Sequence, residues 1–221
     1  MPNPLSFNPS TFSTATVSTS TDQERLARIA LGMIPKVGGK TGKSLISYCG
    51  NAQEVFRRSK GQLSKIPGIN AATVELITQN PSDYFRAAEE ELAKTEKLGI
   101  ALHFMGEEGY PFRLRNLPDA PPVLYYQGTA NLNPPVSVAI VGTRKATSYG
   151  REITQQIVED LKPYNATIVS GLAYGIDIIA HKKALEVGLP TIAVMANGID
   201  HIYPADPRNT AFQVAEKGGL M

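Results

Sequence analysis

The sequence predicts an α/β protein in which a small all-α domain precedes a doubly wound parallel sheet. Three apolar segments, VSVAIVG, TIVSG and TIAVMANG, are typical of strands that are buried on both faces. Stretches with apolar residues on one face separate them, and strand–helix alternation at this spacing indicates a doubly wound sheet. Between residues 22 and 99, short amphipathic segments alternate with proline and glycine, which predicts a bundle of short helices.

Composition places the chain among folded proteins. Of 221 residues, 42% are hydrophobic and 19% are charged, which is too apolar for a wholly disordered protein. The net charge of +2 neither requires nor excludes nucleic acid, because a binder needs a local basic groove rather than a basic total. A single cysteine, Cys49, excludes an internal disulfide framework and fits the reducing cytoplasm, where we expect the protein to act. No apolar run approaches the ~20 residues of a membrane span, so no membrane partner is expected.

Four segments follow from composition and pattern. Residues 1–21 are rich in Ser, Thr, Pro and Asn and lack the apolar core of a secretory signal, so we expect a disordered tail. Residues 22–99 form the helical domain, and residues 100–135 form a linking segment whose runs IALHFMG and VLYYQG suit edge strands. Residues 136–221 form the sheet domain, whose third strand is expected at an open edge.

The helical domain should contain five helices. Thr21 or Asp22 is placed to cap the first helix, which ends before Pro35. Further helices are expected over residues 43–48, from about residue 51, over residues 71–79, and from a cap at Ser82 to the end of the domain.

A repeated turn lies within this domain. Residues 34–38 (IPKVG) and 66–70 (IPGIN) share an apolar-Pro-x-apolar start, and each precedes a helix. The pair resembles the helix-hairpin-helix elements of SAM-like domains, although Asn70 stands where glycine is usual. Such turns leave backbone N–H groups at a helix N-terminus, where they can hold a DNA phosphate without reading a base. The candidate accessory contacts are Lys36, Gly38, Lys40 and Lys43; the alternative is an ordinary connection within a helical bundle.

The first predicted strand of the sheet ends in a turn that suits a phosphate. Turn A, residues 142–147, contains Gly142, Thr143, Arg144 and Lys145. Gly142 permits close approach of a backbone, Thr143 offers a hydroxyl, and Arg144 offers a planar fork that matches a phosphate at the following helix N-terminus. Neither GxGxxG nor GxxxxGK[ST] is present, so no nucleotide cofactor is expected. The alternative is a structural turn with exposed cations.

The second strand ends in turn B, residues 170–177, which contains Ser170, Gly171, Gly175 and Asp177. Asp177 is placed to cap the next helix. His181 lies one helical turn later, so the two side chains suggest either an acid–base pair or a cap with a helix-face hydrogen bond. The second interpretation is favoured because no nucleophile or metal cluster accompanies them, and we expect no metal. After the third strand, Tyr203 and Arg208 are further candidates, Tyr203 for stacking a base.

The blocks VAIVGTRKATSYG, IVSGLAYGIDIIAH, TIAVMANGIDHIYP and the closing GGL stand in the order and spacing of the DprA/Smf family, which this chain resembles from about residue 22 onward. The resemblance implies a Rossmann-like domain that binds single-stranded DNA without catalysing a reaction, protects DNA taken up in natural transformation and delivers it to the RecA recombinase. It also implies that the DNA pocket is lined or shaped by Gly142, Thr143, Arg144, Ser170, Gly171, Gly175 and Asp177. Lys145, next to Arg144 in turn A, is a further candidate for DNA binding. Full-length members form homodimers.

Family members continue beyond the GGL block with segments that carry part of the DNA pocket and the dimer surface, so we expect an incomplete sheet here and leave the homodimer open for this chain. The third of the predicted parallel strands should then be an unpaired edge. Two other functions remain: a nucleotide-processing enzyme of the lysine-decarboxylase-like phosphoribohydrolase type, whose PGGxGTxxE motif is absent, and a helix-hairpin-helix DNA-binding module joined to a non-functional remnant.

Overall fold

The computed structural model describes the backbone of residues 19–200 and 208–221, and side chains within those ranges from Asp22 to Asp200 and from Asn209 onward. The expected disordered tail lies almost wholly outside the described residues. Among the described residues, no helix is long and apolar enough to cross a membrane.

A helical domain comes first, as expected. Its core is a continuous cluster of buried apolar side chains that includes Leu31, Leu45, Val55, Leu63 and Ile77. The helices are α1 (Thr19–Met33), α2 (Gly39–Cys49), α3 (Ala52–Arg57), α4 (Lys60–Leu63), α5 (Ala71–Gln79) and α6 (Pro81–Leu98).

Local caps explain several of these boundaries. Asn51 and Asn70 each accept a hydrogen bond from the backbone N–H three residues later, at 2.8 Å, and so start α3 and α5. Ser59 and Gln62 form a capping box that starts α4, a helix that the apolar pattern did not predict. The expected cap at Ser82 is wrong, because α6 begins at Pro81, where proline suits the first helical position.

The described C-terminal residues form a mixed sheet of six strands. Its strand order is β1-β2-β6-β5-β4-β3, with β1–β2 and β2–β6 antiparallel and the other pairs parallel. The strands are β1 (Ala101–Phe104), β2 (Val123–Gly128), β3 (Ser137–Ala139), β4 (Thr167–Ser170), β5 (Thr191–Ala193) and β6 (Gly219–Leu220). The helices here are α7 (Phe112–Arg115), α8 (Ser148–Asp160), α9 (Ile176–Val187) and α10 (Arg208–Lys217).

The expectation of an unpaired third strand is wrong. That strand is β5, and it lies between β4 and β6, while β6 in turn pairs with β2. Glycine makes this arrangement possible: a Cβ on Gly219 would overlap the Tyr126 ring, and a Cβ on Gly218 would overlap the Thr191 carbonyl. The two-residue strand β6 thus joins the parallel strands to the antiparallel pair. Among the described strands, β1 and β3 are at the edges. The prediction of an edge strand is therefore confirmed for β1, whereas β2 lies inside the sheet.

The helical domain packs against the β1–β2 end of the sheet. Ile29, Ala30, Ala88 and Phe104 form a buried cluster there. Arg28 donates to the Met105 carbonyl at 2.9 Å. A second link lies near the C-terminal end of α6, where Lys94 pairs with Asp200 in the loop after β5, at 2.6 Å.

Candidate nucleic-acid interface

Turns A and B lie side by side because β3 and β4 are neighbouring parallel strands. The backbone N–H of Ile176 donates to the Thr143 carbonyl at 3.1 Å, which joins the two turns. A Cβ on Gly142 would lie within 3 Å of the Ile176 side chain, and a Cβ on Gly175 would overlap the Thr143 carbonyl. The structure therefore gives both glycines a role that the sequence did not predict: they let the two turns touch each other.

The cations of turn A face solvent. Arg144 and Lys145 are both exposed, whereas the backbone beneath them is fixed. Thr143 Oγ1 accepts a hydrogen bond from the Lys145 N–H at 3.2 Å, and Thr147 caps α8 by accepting from the Gly150 N–H at 3.1 Å. The Arg144–Lys145 pair thus lies just before the N-terminus of α8, where the helix dipole also favours an anion.

The polar side chains of turn B point into the protein. Ser170 is buried and donates to the Ile140 carbonyl at 2.6 Å, which fastens β4 to the chain after β3. Asp177 is also buried and accepts a hydrogen bond from the Gly171 N–H at 3.2 Å. The expectation that Asp177 caps α9 is wrong: the cap residue is Gly175, with no side-chain hydrogen bond, and Asp177 braces the turn instead. Ser170, Gly171, Gly175 and Asp177 therefore shape the surface, and Arg144 and Lys145 present its charge.

His181 is fully buried and belongs to a hydrogen-bond chain within the sheet domain. Its Nδ1 lies 2.7 Å from Thr191 Oγ1, and that hydroxyl donates to the Ile168 carbonyl at 3.0 Å. Because the single Thr191 proton is used in that bond, His181 Nδ1 carries a proton and donates it to Thr191. Its Nε2 has no hydrogen-bond partner in the described structure, and burial lowers the pKa of His181 to about 4. The partner of His181 is Thr191 rather than Asp177, which contradicts an acid–base pair.

The candidate contacts in the helical domain lie around the start of α2. Gly38 is its cap residue, and a Cβ on the next residue, Gly39, would overlap the Asp119 carbonyl. Lys43 Nζ donates to the carbonyls of Arg115 and Leu117 at 3.3 and 3.1 Å. This turn therefore packs on the segment between β1 and β2, which explains Gly39 without DNA, whereas a Cβ on Gly38 would meet nothing within 4 Å. Lys36 and Lys40 are exposed.

The side chains of two candidates near the third parallel strand lie outside the described residues. Tyr203 lies outside the described residues, and Arg208 begins α10 with a side chain that is not among those described. The structure adds a residue that the sequence reasoning missed. Tyr174, in turn B, is 42% exposed beside the turn that carries Arg144. The sequence did contain a signal for Tyr174, because an aromatic residue stands directly before a glycine in a strand-end turn.

No group of three or more His, Cys, Asp or Glu side chains in the described ranges is placed to hold a metal ion.

The family model for DNA recombination-mediator protein A matches residues 101–221. Protein Smf of Synechocystis is 32% identical over 206 residues, which is 90% of this chain and 51% of that protein. The DNA processing protein DprA of Streptococcus pneumoniae is 40% identical over 98 residues, 44% of this chain and 34% of that protein. The chain thus spans about half the length of the Synechocystis relative.

The X-ray structure of DprA from Streptococcus pneumoniae superposes with a TM-score of 0.64 over 89% of this chain and 65% of that one, at 22% identity, which shows a common fold. The Gly-Thr-Arg block of turn A and the Ser-Gly-Leu-Ala-x-Gly-Ile-Asp block of turn B both fall within the matched residues 101–221. The chain belongs to the DNA recombination-mediator protein A family, also called DprA/Smf.

Proposed function

We propose that this chain binds single-stranded DNA on the surface formed by turns A and B and acts in DNA recombination. The observation that carries the proposal is the exposed pair Arg144 and Lys145, on a turn that Gly142 and Gly175 lock against its neighbour. Because the backbone that carries these cations is held in place before binding, only their side chains lose conformational freedom when a phosphate arrives. The guanidinium of Arg144 can hold two phosphate oxygens at once, and the adjacent helix N-terminus adds favourable charge.

The recipient of the DNA belongs to the same proposal. We infer that the bound strand is protected in the cytoplasm during natural transformation and is then delivered to the RecA recombinase, as the family resemblance implies. No chemical step is assigned to the chain. The two groups that suggested acid–base catalysis, Asp177 and His181, are buried and already hydrogen-bonded to Gly171 and Thr191.

The first experiment measures binding of a fluorescent single-stranded oligonucleotide by the whole chain over a range of salt concentrations. Arg144→Ala should weaken binding equally for different sequences, because a phosphate contact carries no base information. The slope of log K against log salt should fall in magnitude by about 0.7, the value for one lost phosphate contact on a single strand.

Lys162→Ala provides the matched control. Lys162 is an exposed cation in the short 3-10 helix Lys162–Tyr164, which precedes β4 and so lies at the opposite end of the strands from turn A. Its removal should leave the slope unchanged. Equal slopes for the wild type and Arg144→Ala would show that Arg144 does not contact a phosphate.

Two further measurements address the other functions. Single strands should bind more tightly than duplexes at the same salt concentration, since an open strand-end surface accepts unstacked bases. Release of a free base from nucleoside monophosphates would instead indicate the phosphoribohydrolase chemistry. If Lys36→Ala with Lys40→Ala abolishes binding while Arg144→Ala does not, DNA binding belongs to the helical domain.

A further inference from the structure

We propose that Tyr174 is a stacking platform for a nucleobase, placed beside the phosphate that Arg144 holds. The inference rests on the proposed single-stranded-DNA binding and names a residue that recognises the bases rather than the backbone. A single strand offers two things to a protein, charged phosphates and unstacked aromatic bases, and tight binders of single strands contact both. Turn A supplies the charge, and Tyr174 supplies the aromatic surface.

Tyr174 adjoins turn A through its neighbour in the chain. Gly175 follows it directly, and the Gly175 backbone is so close to Thr143 and Arg144 that any side chain there would overlap their backbone atoms. The next residue, Ile176, donates to the Thr143 carbonyl at 3.1 Å. The Tyr174 and Arg144 side chains therefore start from backbone segments that touch, at the same end of the parallel strands.

The loop that carries Tyr174 is held on both sides. The Gly171 N–H donates to the buried Asp177 carboxylate at 3.2 Å, and the Ile178 N–H donates to the Ala173 carbonyl at 3.2 Å. Leu172 is buried with a left-handed φ of 62°, a conformation that its packed surroundings must enforce. An aromatic ring on a fixed loop, with only two side-chain torsions to restrict, loses little entropy when a base stacks on it.

The exposure of Tyr174 matches this role. At 42% exposed, the side chain is partly supported by its surroundings and leaves the remainder open to solvent. Tyr149, which is also exposed, is the weaker candidate, because it shares a face of α8 with the exposed Ile153 and Ile157 and so belongs to an apolar stripe. Tyr174 instead lies on a turn that abuts the cations Arg144 and Lys145. A single strand whose phosphate binds those cations brings its unstacked bases close to the Tyr174 ring.

The sequence provides a direct readout, because the chain contains no tryptophan. Tyr174→Trp creates a single indole whose fluorescence should be quenched, to saturation, when oligo(dT) is added, since stacking on a base quenches indole emission. Tyr164→Trp is the matched control. Tyr164 is 67% exposed, but it lies before β4, at the opposite end of the strands. Its fluorescence should stay constant over the same titration.

A second comparison separates stacking from folding. Tyr174→Ala should weaken binding of oligo(dT) by about 5- to 150-fold, while Tyr174→Phe keeps the ring and should bind like the wild type. An abasic oligonucleotide of the same length should bind the wild type and Tyr174→Ala equally, and the salt slope should be the same for both because no phosphate contact is lost. Circular dichroism spectra of all variants should match that of the wild type.

The outcomes are distinct. Absence of oligonucleotide binding by the wild type would overturn the proposed function and the platform with it. Binding by Tyr174→Trp without quenching, or an equal loss of affinity by Tyr174→Ala for oligo(dT) and for the abasic strand, would overturn the platform alone and leave phosphate binding by turn A in place.

Discussion

At the scale of single residues, burial and internal hydrogen bonds account for the polar side chains of turn B better than a catalytic role does. Ser170, Asp177 and His181 are the reactive-looking side chains of turn B and its helix, yet each is at least nine-tenths buried and each is engaged by a neighbour. The sequence drew attention to these positions but did not predict their hydrogen-bond partners, which are the Ile140 carbonyl, the Gly171 N–H and Thr191. Two of those three partners lie on other strands or strand ends, which no local pattern reveals.

His181 gives a pH-dependent prediction. Its pKa is about 4 in the folded protein, lowered by burial, against an ordinary value of about 6.5 in the unfolded chain. The unfolded state therefore binds more protons between those values, so the free energy of unfolding should fall as pH drops from about 6.5 to 4. The complete loss in the free energy of unfolding is about 3 kcal/mol, and above pH 7 this loss is absent because His181 is neutral in both states.

His181→Asn tests this effect, because asparagine keeps an N–H for Thr191 and does not titrate. Urea unfolding at pH 7.5 and at pH 5 should show a smaller loss of stability for the variant than for the wild type. The lowered pKa of His103, also caused by burial, contributes to both proteins and cancels in the difference. An identical pH dependence in the two proteins would contradict the assignment.

At the scale of elements, local signals predicted most helices and long-range contacts decided the exceptions. The helix over residues 71–79 was predicted to the residue, since Asn70 caps it and Asn80–Pro81 follow it. By contrast, β3 covers only Ser137–Ala139 of the predicted run VSVAIVG, because the chain leaves the sheet toward turn A before Val141. The strand β6 is defined by its pairing with β2 and β5. Because it has only two residues, its own sequence is too short to show a strand pattern.

The contact between turns A and B gives a prediction with an internal control. Gly175 and Gly188 flank α9, and their φ angles are 82° and 81°, so alanine is strained at both. A Cβ on Gly188 meets nothing within 4 Å, whereas a Cβ on Gly175 would overlap the Thr143 carbonyl. Gly188→Ala should therefore cost only about 1–2 kcal/mol of stability, the penalty of the left-handed backbone.

Gly175→Ala should cost more than Gly188→Ala and should also impair oligonucleotide binding, since it separates turn A from turn B. Thermal unfolding of the two variants measures the first difference, and binding at constant salt measures the second. Similar stability and similar binding for both variants would mean that the two turns need not touch.

At the scale of the whole molecule, the sheet has one protected end and one open end. The helical domain covers the β1–β2 end, where α1 and α6 contribute to a buried cluster with Phe104. At the other end, β3 is the edge among the described strands, and α8 beside it exposes Tyr149, Ile153 and Ile157, spaced four residues apart on one helix face. A contiguous apolar stripe next to a strand edge is a surface that favours association.

This surface should make the chain associate as its concentration rises. The double variant Ile153→Gln with Ile157→Gln removes the apolar stripe without adding charge, so it should reduce the apparent mass at high concentration and leave the salt dependence of DNA binding unchanged. Phe212→Gln is the matched control: Phe212 is 60% exposed on α10, which packs against α9 and β6 and lies away from the β3 edge. Sedimentation of the three proteins over a range of concentrations distinguishes the surfaces. Association that persists in the double variant and disappears in Phe212→Gln would place the contact on α10 and leave the β3 edge without a role in it.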